Sequence, residues 1–188
     1  MKKLQGNKMI DQLQTAIFAG GCFWCTEAFL KGLKGVISAE PGYIGGEIEN
    51  PTYMKVCNGD TGHAEAVRIQ FDPAVISYGS LLSVFFNTHD PTTLNRQGND
   101  IGTQYRSGIF YTSEEQKTEA EALIKELNES KAYENPVVTE VTPASMFYVA
   151  ENYHHDYYEQ NKDKAYCQII IAPKLAKLQE KYHELLAH

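Results

Sequence analysis

A stretch of strictly alternating residues limits the folds open to this sequence more than any other feature. From residue 65 to residue 71, one side of an extended chain carries a glutamate and three large apolar side chains: Glu65, Val67, Ile69 and Phe71. The opposite side is partly polar, with Arg68 and Gln70. This pattern predicts a strand with one buried face, which is typical of antiparallel sheets.

Strand patterns and helix patterns are mixed along the rest of the chain. We predict further strands at residues 15–19, 107–111, 137–141 and 168–171. We predict helices at residues 22–33, 81–86, 114–128 and 147–162, and after Pro173. Segments rich in Gly, Pro, Asn and Asp are predicted to be loops, at residues 36–63 and 89–106. The mixture predicts an α+β fold: a two-layer α/β sandwich in which helices pack against a mixed, mostly antiparallel sheet.

The length of 188 residues suits one folded domain. We expect residues 1–14 to form a mobile polar leader and residues 15–188 to form a single domain. The net charge of −7, with no block of Lys or Arg, argues against binding to nucleic acid or to an anionic membrane. Nothing in the sequence requires more than a monomer.

The start of the chain has no continuous apolar run, so we expect neither a signal peptide nor a membrane span. We therefore expect a cytoplasmic protein whose thiols stay reduced. Four cysteines are too few for a disulfide scaffold in a chain of this length. A disulfide formed here is expected to be catalytic.

The sequence GCFWC, at residues 21–25, places Cys22 and Cys25 three residues apart at the predicted junction of a strand and a helix. This spacing is compatible with half of a zinc site, with a thiol–disulfide exchanger or with a single cysteine nucleophile. A further interpretation is that both cysteines are buried small hydrophobic residues. A zinc-binding module is disfavoured because Cys57 and Cys167 are isolated in the sequence.

The two large side chains between the cysteines favour the nucleophile. Phe23 and Trp24 would crowd the partner chain that a general disulfide exchanger must admit. As walls of an apolar pocket beside Cys22, they would suit a methyl group and a soft sulfur atom. Free N–H groups and the dipole at a helix N-terminus stabilise a thiolate, so we expect a low pKa for Cys22.

Glu65 is the candidate general acid, because it lies on the apolar side of its predicted strand. A buried carboxyl group without a cationic partner has a raised pKa and holds its proton near neutral pH. The alternative is a position at the open end of the strand, in contact with solvent. Three side chains in the polar loops could orient a substrate oxygen, although each could also be a surface turn residue: Tyr53, Asp100 and Tyr105.

Five longer segments lie within residues 15–167: GCFWCTEAF, GYIGG, PTYMKVCNGDTGHAEAV, HDPTTLNRQGNDIGTQYRS and AENYHHDYY. Together they resemble the peptide methionine sulfoxide reductase A family. The resemblance implies a two-layer α/β sandwich that reduces methionine S-sulfoxide, free or in proteins, and so repairs oxidised proteins under oxidative stress. It implies no metal or organic cofactor and thioredoxin or a dithiol as the reductant. Because we find no second domain of the B type, we expect no activity toward the R epimer.

The resemblance also implies a role for each candidate residue. The cysteine of GCFW, here Cys22, attacks the sulfoxide sulfur and becomes a sulfenic acid. The glutamate of GHAEAV, here Glu65, donates a proton to the oxygen. Phe23 and Trp24 hold the S-methyl group. The oxygen or a water molecule is bound by three polar side chains: Tyr53, Asp100 and Tyr105.

A resolving cysteine must then form the disulfide that thioredoxin reduces. We expect this to be Cys167, which stands at nearly the family's distance after the segment NYHHDYY, although a strand at 168–171 would restrict its approach. Cys25, where most members have Gly, is the alternative.

The geometry of a regular helix argues against Cys25. Side chains three apart on a helix have Cβ atoms about 5–6 Å apart, whereas a disulfide needs about 3.5–4.5 Å, so the first turn would have to unwind. Cys57 is the remaining candidate for the resolving cysteine. A thioredoxin-like oxidoreductase that uses the CxxC pair remains the alternative function.

Overall fold

The structure of the protein, a computed structural model, describes residues 12–187. Residues 1–11 of the predicted leader lie outside the described residues. The strands are β1 (Gln14–Gly20), β2 (Val36–Ile44), β3 (Ala64–Phe71), β4 (Arg96–Gln97), β5 (Asp100–Ile101), β6 (Ser107–Tyr111), β7 (Glu140–Pro143) and β8 (Tyr148–Val149). The α-helices are α1 (Phe23–Lys31), α2 (Tyr53–Cys57), α3 (Tyr78–Thr88), α4 (Glu114–Glu129), α5 (Tyr157–Gln160) and α6 (Ala172–Lys181).

Six strands form one sheet in the order β7-β6-β1-β3-β2-β8, and β4 pairs with β5 separately. Neighbouring strands of the large sheet are antiparallel, except for β6 and β7, which are parallel. Helices pack on this sheet, so the predicted α+β sandwich with a mixed, mostly antiparallel sheet is confirmed.

The two faces of the sheet are covered differently. On one face, Phe18 of β1 and Phe71 of β3 share a large core with side chains of α1, α3, α4 and α6. The other face carries a smaller apolar cluster: Ile17, Ala19, Ile44, Ala64, Ala66 and Phe110. Because β1 is buried on both faces, its sequence is a continuous apolar run rather than an alternating one.

The turn between β1 and α1 is fixed by a glycine. Gly21 has a φ of +93°, a conformation that glycine adopts without strain. A side chain there would also lie 2.6 Å from Cγ of Gln97. Cys22 follows at once as the N-cap residue of α1. The predicted strand, glycine turn and helix are therefore confirmed, and they place the two cysteines at the start of a helix that packs on the sheet.

The predicted loop at residues 36–63 is wrong for residues 36–44, which form β2 between β3 and β8. Pro41 and Gly42 indicated a loop, but each has a place in the sheet. The Pro41 carbonyl accepts a hydrogen bond from the Ala150 backbone N–H at 2.9 Å. At Gly42, a Cβ would lie 2.5 Å from Cε1 of Phe147 and from the Tyr148 carbonyl oxygen. Glycine is therefore required for the close approach of β8.

The helix predicted at residues 147–162 is also wrong for most of its length. Two of its residues form β8, Asn152–His154 is a 3₁₀ turn, and only Tyr157–Gln160 is α-helical. Asp156 interrupts the segment with a φ of +54°. Its backbone N–H donates to Oε1 of Glu27 at 3.0 Å and its carboxylate pairs with Lys31, so contacts with α1 override the local helical preference.

The strand predicted at residues 168–171 is a π-helical turn, Cys167–Ile171, that runs directly into α6. The Ala172 backbone N–H donates to the Cys167 carbonyl, five residues back. Pro173 has no N–H and its ring would clash with a carbonyl four residues back in a regular helix, so the wider turn accommodates it. The strand predicted at residues 107–111 is confirmed as β6, and the one predicted at 137–141 is displaced, since β7 spans Glu140–Pro143.

We predict that Gly42→Ala lowers the free energy of unfolding by about 1–3 kcal/mol, because the new methyl group overpacks the contact between β2 and β8. Urea unfolding monitored by circular dichroism measures the loss. Gly79→Ala is the matched control: its Cβ meets no atom closer than Oε2 of Glu119 at 3.5 Å. Gly79 lies in α3, so the control substitution should leave the free energy of unfolding unchanged or raise it by about 0.5–1 kcal/mol. Equal stability of the Gly42→Ala variant and the wild type would contradict the prediction.

Candidate active site

Cys22 lies at the boundary between the glycine turn and α1. It is the N-cap residue, with φ −59° and ψ 125°, and its side chain makes no capping hydrogen bond. Its carbonyl accepts from the Cys25 backbone N–H at 3.1 Å. Both thiols are almost fully buried, with exposed fractions of 9% for Cys22 and 7% for Cys25. Since the side chain of an N-cap residue lies over the third helical residue, this pair is not held apart as two helical residues would be.

Glu65 lies directly against the first turn of α1. Its Oε2 accepts a hydrogen bond from the Phe23 backbone N–H at 3.0 Å. In the sheet it is paired with Tyr43 of β2, and only 1% of its surface is exposed. The predicted burial of this carboxyl group is therefore confirmed, and the sheet register brings it next to the residue that follows Cys22.

Burial controls the protonation of Glu65. Loss of solvent raises its pKa to about 8, against the opposing effect of the Phe23 N–H; the nearby Asp100 and Cys25 raise it further. A carboxyl group with this pKa carries its proton at neutral pH and can donate it to a bound oxygen.

Aromatic rings form the surroundings of Phe23 and Trp24. The Phe23 ring lies 5.7 Å from Tyr43 and 6.3 Å from Tyr53, measured between centroids. The half-buried Trp24 stacks on Tyr157 at 3.6 Å, with the ring planes nearly parallel. Both rings therefore belong to an aromatic cluster at the start of α1, in which Phe23 is only 1% exposed.

His154 organises this cluster and was not singled out from the sequence. It is fully buried, and its Nδ1 accepts from Nε1 of Trp24 at 3.0 Å. Its Nε2 faces Oε2 of Glu151 at 3.4 Å. Burial lowers the pKa of His154, so the ring is neutral and carries its proton on Nε2. Glu151 also accepts hydrogen bonds from the Tyr43 and Tyr153 hydroxyls and from the Tyr53 backbone N–H.

Tyr53 and Tyr105 reach the same side of the site from two different loops. Tyr53 opens α2, whose N-cap residue Thr52 accepts from the Lys55 backbone N–H. Burial raises the pKa of both tyrosine hydroxyls, and the neighbouring Glu65 carboxyl raises it further. Both hydroxyls therefore keep their protons at neutral pH.

Asp100 has a different partner from the one that the sequence suggested. Its Oδ2 accepts a hydrogen bond from the Tyr166 hydroxyl at 3.1 Å, and the same hydroxyl oxygen lies 3.8 Å from Sγ of Cys25. Asp100, Tyr166 and both cysteines line one cavity of about 400 Å³, together with Lys174. Tyr166 was missed because nothing local marks it: only the tertiary fold brings it to Cys25.

The expectation of a low pKa for Cys22 is wrong for the free protein. Burial raises the pKa of this thiol well above its ordinary value, and the neighbouring Cys25 and Glu65 raise it further; the Trp24 backbone N–H opposes the shift. The helix N-terminus is therefore outweighed by loss of solvent and by neighbouring groups that disfavour a second negative charge. Cys22 is therefore a protonated thiol at neutral pH.

The other cysteines lie in contrasting environments. Cys25 stands one turn into α1, and its thiol pKa is lowered, first by the Cys22 thiol and also by Lys174 and Tyr166. Cys167 is fully buried in the core, and burial raises the pKa of its thiol. Cys57 is exposed at the end of α2. All four thiols are free, and the cavity lined by Cys22 and Cys25 is not lined by Cys167.

Within residues 12–187, no three side chains of His, Cys, Asp or Glu are grouped so that they could hold a metal ion. In the same part of the chain, no helix combines the length and the apolar character needed to cross a membrane.

Comparison with known proteins identifies the family. Residues 14–186 match the family model described as peptide methionine sulfoxide reductase. The peptide methionine sulfoxide reductase MsrA of Deinococcus radiodurans is 53% identical over 182 residues, covering 97% of this chain and 88% of the relative. That of Sulfolobus acidocaldarius is 55% identical over 170 residues, covering 90% of this chain and 96% of the relative.

Solved structures agree with the sequence relatives. The crystal structure of reduced Mxr1 from Saccharomyces cerevisiae superposes with a TM-score of 0.77 at 36% identity, covering 84% of this chain and 90% of that chain. Methionine sulfoxide reductase A of Corynebacterium diphtheriae gives a TM-score of 0.71 at 31% identity, covering 80% of this chain and 76% of that chain. The family model, the sequence relatives and the solved structures agree, and the chain belongs to the peptide methionine sulfoxide reductase family.

Proposed function

We propose that this chain reduces the S epimer of methionine sulfoxide, free or in oxidised proteins, with Cys22 as the nucleophile and Glu65 as the proton donor. The observation that carries the assignment is the hydrogen bond from the Phe23 N–H to Glu65 at 3.0 Å. It places a buried carboxyl group that holds a proton beside the N-cap cysteine. A thiol and a proton donor in one apolar site are what transfer of a sulfoxide oxygen requires.

The first step moves the oxygen from substrate to enzyme. As Cys22 Sγ attacks the sulfoxide sulfur, the thiol proton passes to Glu65 and the Glu65 proton passes to the sulfoxide oxygen. The attack forms a bond between Cys22 Sγ and the substrate sulfur. The oxygen, now a hydroxyl, then bonds to Cys22 Sγ as its bond to the substrate sulfur and the new sulfur–sulfur bond both break, which releases methionine. Methionine sulfoxide and a thiol become methionine and a sulfenic acid, and Glu65 regains its starting proton.

The surroundings of the site suit the two ends of this substrate. Phe23 and Trp24 offer ring faces and edges to a methyl group and to sulfur, contacts that are favourable for thioethers. Tyr53 and Tyr105 keep their hydroxyl protons close to Glu65 and can donate to the oxygen. His154 holds the Trp24 ring through its indole N–H, so the apolar wall is oriented by a buried hydrogen bond.

The second step removes the oxygen as water by forming a disulfide. We assign the resolving role to Cys25 rather than Cys167, for two reasons. Cys25 lines the same cavity as Cys22, and the N-cap geometry allows the two side chains to approach. Cys167 is fully buried in the π-helical turn, so it could reach Cys22 only if that turn opened. In the strand–CxxC–helix arrangement the second cysteine is the usual partner of the first.

Thioredoxin is the proposed reductant of this disulfide. Mxr1, which shares 36% identity with this chain, has also been solved in complex with Trx2. We propose that residues 15–188 act as one monomeric domain in the cytoplasm, using thiols alone and no metal or organic cofactor.

We predict that Cys22→Ser abolishes release of methionine from N-acetylated methionine S-sulfoxide ester, because a serine hydroxyl is too weak a nucleophile at this site. Chromatography measures the amount of methionine product released in one turnover. The wild type should show no turnover of the R epimer, and the exposed Cys57→Ser variant should cycle like the wild type. Wild-type release by Cys22→Ser would refute the assignment. Rapid reduction of insulin disulfides would instead support a thioredoxin-like exchanger. The CxxC pair at the start of a helix is the feature that favours this second function.

We predict that Cys25→Ser releases one methionine per enzyme and then stops, with a sulfenic acid on Cys22 that dimedone traps. Cys167→Ala should continue to cycle with thioredoxin, because Cys167 only fills the core. Mass mapping of peptides after one turnover without reductant identifies the disulfide directly. Normal cycling of Cys25→Ser together with arrest of Cys167→Ala would assign the resolving role to Cys167, as the sequence alone suggested.

We predict that Glu65→Gln stabilises the protein and that the gain grows with pH. The folded pKa is about 8, above the ordinary value of 4.5, so between these pH values the native state keeps a proton that the unfolded chain has lost. Wild-type stability therefore falls as pH rises through this window, by up to about 1.4 kcal/mol per pH unit from this group. Urea unfolding should show the advantage of the variant growing by roughly 3 kcal/mol between about pH 5 and pH 7.

Glu121→Gln, on the exposed surface of α4, is the control for the lost carboxylate and should show no such trend. An advantage of Glu65→Gln that stays constant with pH would mean that Glu65 is ionised in the native protein, which would remove it as the proton donor.

A further inference from the structure

We propose that Tyr166 is a catalytic residue of the recycling step: it accepts the thiol proton of Cys25 and passes its own proton to Asp100. This inference deepens the proposed function and rests on the role of Cys25 as the resolving cysteine. No residue of this chain has a role in the deprotonation of Cys25 in the reaction as derived above.

The geometry forms an ordered chain of three groups. The Tyr166 hydroxyl donates to Oδ2 of Asp100 at 3.1 Å, and its oxygen lies 3.8 Å from Sγ of Cys25. A tyrosine hydroxyl has one proton to donate, and a carboxylate can only accept. Since that proton points to Asp100, the Tyr166 oxygen is free to accept a proton from the Cys25 thiol. The three groups therefore form a path along which the Cys25 proton can pass toward Asp100.

Tyr166 is held in this position by packing. Its ring meets the ring of Trp24 edge-on, with centroids 5.8 Å apart. Burial raises the pKa of Tyr166, and the nearby Cys22, Cys25 and Asp100 raise it further, so the hydroxyl keeps a proton throughout. The Tyr166 hydroxyl can therefore relay a proton without becoming a stable tyrosinate.

The relay leaves the reacting thiolate stabilised. After the transfer, the Tyr166 hydroxyl carries the proton that came from Cys25 and can donate it back to the sulfur. Tyr166 and Lys174 both lower the pKa of Cys25, and both line the cavity beside it. The charged and titratable groups that face Cys25 come from four parts of the fold: Cys22, Glu65, Asp100, Tyr166, Cys167 and Lys174.

The step is balanced in atoms and protons. Cys25 Sγ attacks Cys22 Sγ, the new sulfur–sulfur bond forms, and the bond from Cys22 Sγ to its hydroxyl oxygen breaks. The hydroxyl group takes a proton from Glu65 and leaves as water. The Cys25 proton enters the chain through Tyr166 and appears on Asp100. Cys25 is oxidised and the sulfenic sulfur of Cys22 is reduced. Asp100 then gives up its proton to solvent and Glu65 takes one from solvent, so both carboxyl groups return to their starting states.

The test compares the rate of methionine release with the rate of disulfide formation. Both are measured in the same sample after one equivalent of methionine sulfoxide is added. Rapid quenching with an alkylating agent and mass spectrometry measures methionine release, dimedone-reactive Cys22 and the Cys22–Cys25 disulfide. For Tyr166→Phe, we expect the rate of disulfide formation, relative to methionine release, to fall by about 10²-fold at pH 7, the low end for a positioned acid–base group. The deficit should shrink as pH rises, because hydroxide can then ionise Cys25 without the relay.

Two further variants make the result specific. Asp100→Asn cannot accept the proton and should slow disulfide formation in the same way. Tyr182→Phe removes a tyrosine hydroxyl of the C-terminal segment that donates to the Ser83 carbonyl at 3.3 Å, far from the chemistry, and should not change the ratio. Thermal unfolding of each variant establishes that it is folded.

The outcomes separate this inference from the proposed function. Disulfide formation by Tyr166→Phe at the wild-type rate and with the wild-type pH profile overturns the relay, even if Cys25→Ser forms no disulfide. Disulfide formation by Cys25→Ser through Cys167 at the wild-type rate overturns the role of Cys25 and the relay together. Slow, pH-dependent disulfide formation by Tyr166→Phe, together with a Cys25→Ser variant that releases methionine but forms no disulfide, supports both.

Discussion

The rest of the site depends on one hydrogen bond, from the Phe23 backbone N–H to the Glu65 carboxyl group. It joins the first turn of α1 to the second residue of β3, across the boundary between the helix layer and the sheet. An N–H of the first helical turn has no partner within its own helix, so it is free to bind an acid from elsewhere. The same contact satisfies a buried polar group and holds Glu65 against the residue that follows Cys22.

Burial determines the charge state that this arrangement adopts. A charged carboxylate would be stabilised by the helix N-terminus, yet loss of solvent is the larger effect, and it raises the pKa of both Glu65 and Cys22. Glu65 and Cys22 are therefore both protonated in the resting site. This suits a reaction with a neutral, polar sulfoxide, because the enzyme must supply a proton at the moment when a thiolate forms.

Local sequence patterns predicted the parts of the fold whose packing follows from nearby residues. The alternation around Ile69, the apolar run of β1 and the Gly21 turn are signals within a few residues, and all three are confirmed. They are also the parts that position Cys22 and Glu65, so the centre of the site could be located from the sequence.

The errors lie where distant contacts override local preference. Pro41 and Gly42 suggested a loop, but β8 approaches so closely that only a glycine fits at residue 42. The isoleucine run after Cys167 suggested a strand, although burial there follows the helical spacing of Cys167, Ile171 and Leu178. Tyr166 and His154 could not be assigned roles, because each acts through a residue more than a hundred positions away.

The π-helical turn has a consequence for the phase of the C-terminal helix. A turn of this kind adds one residue to the helix, so residues before it are rotated by about 100° from the positions that α6 alone would give them. Tyr166 therefore occupies the angular position that residue 167 would hold in an unbroken helix. The turn that accommodates Pro173 thus also decides which side chain faces the second cysteine of GCFWC. Helices of the same composition but without this turn would present a different residue to Cys25.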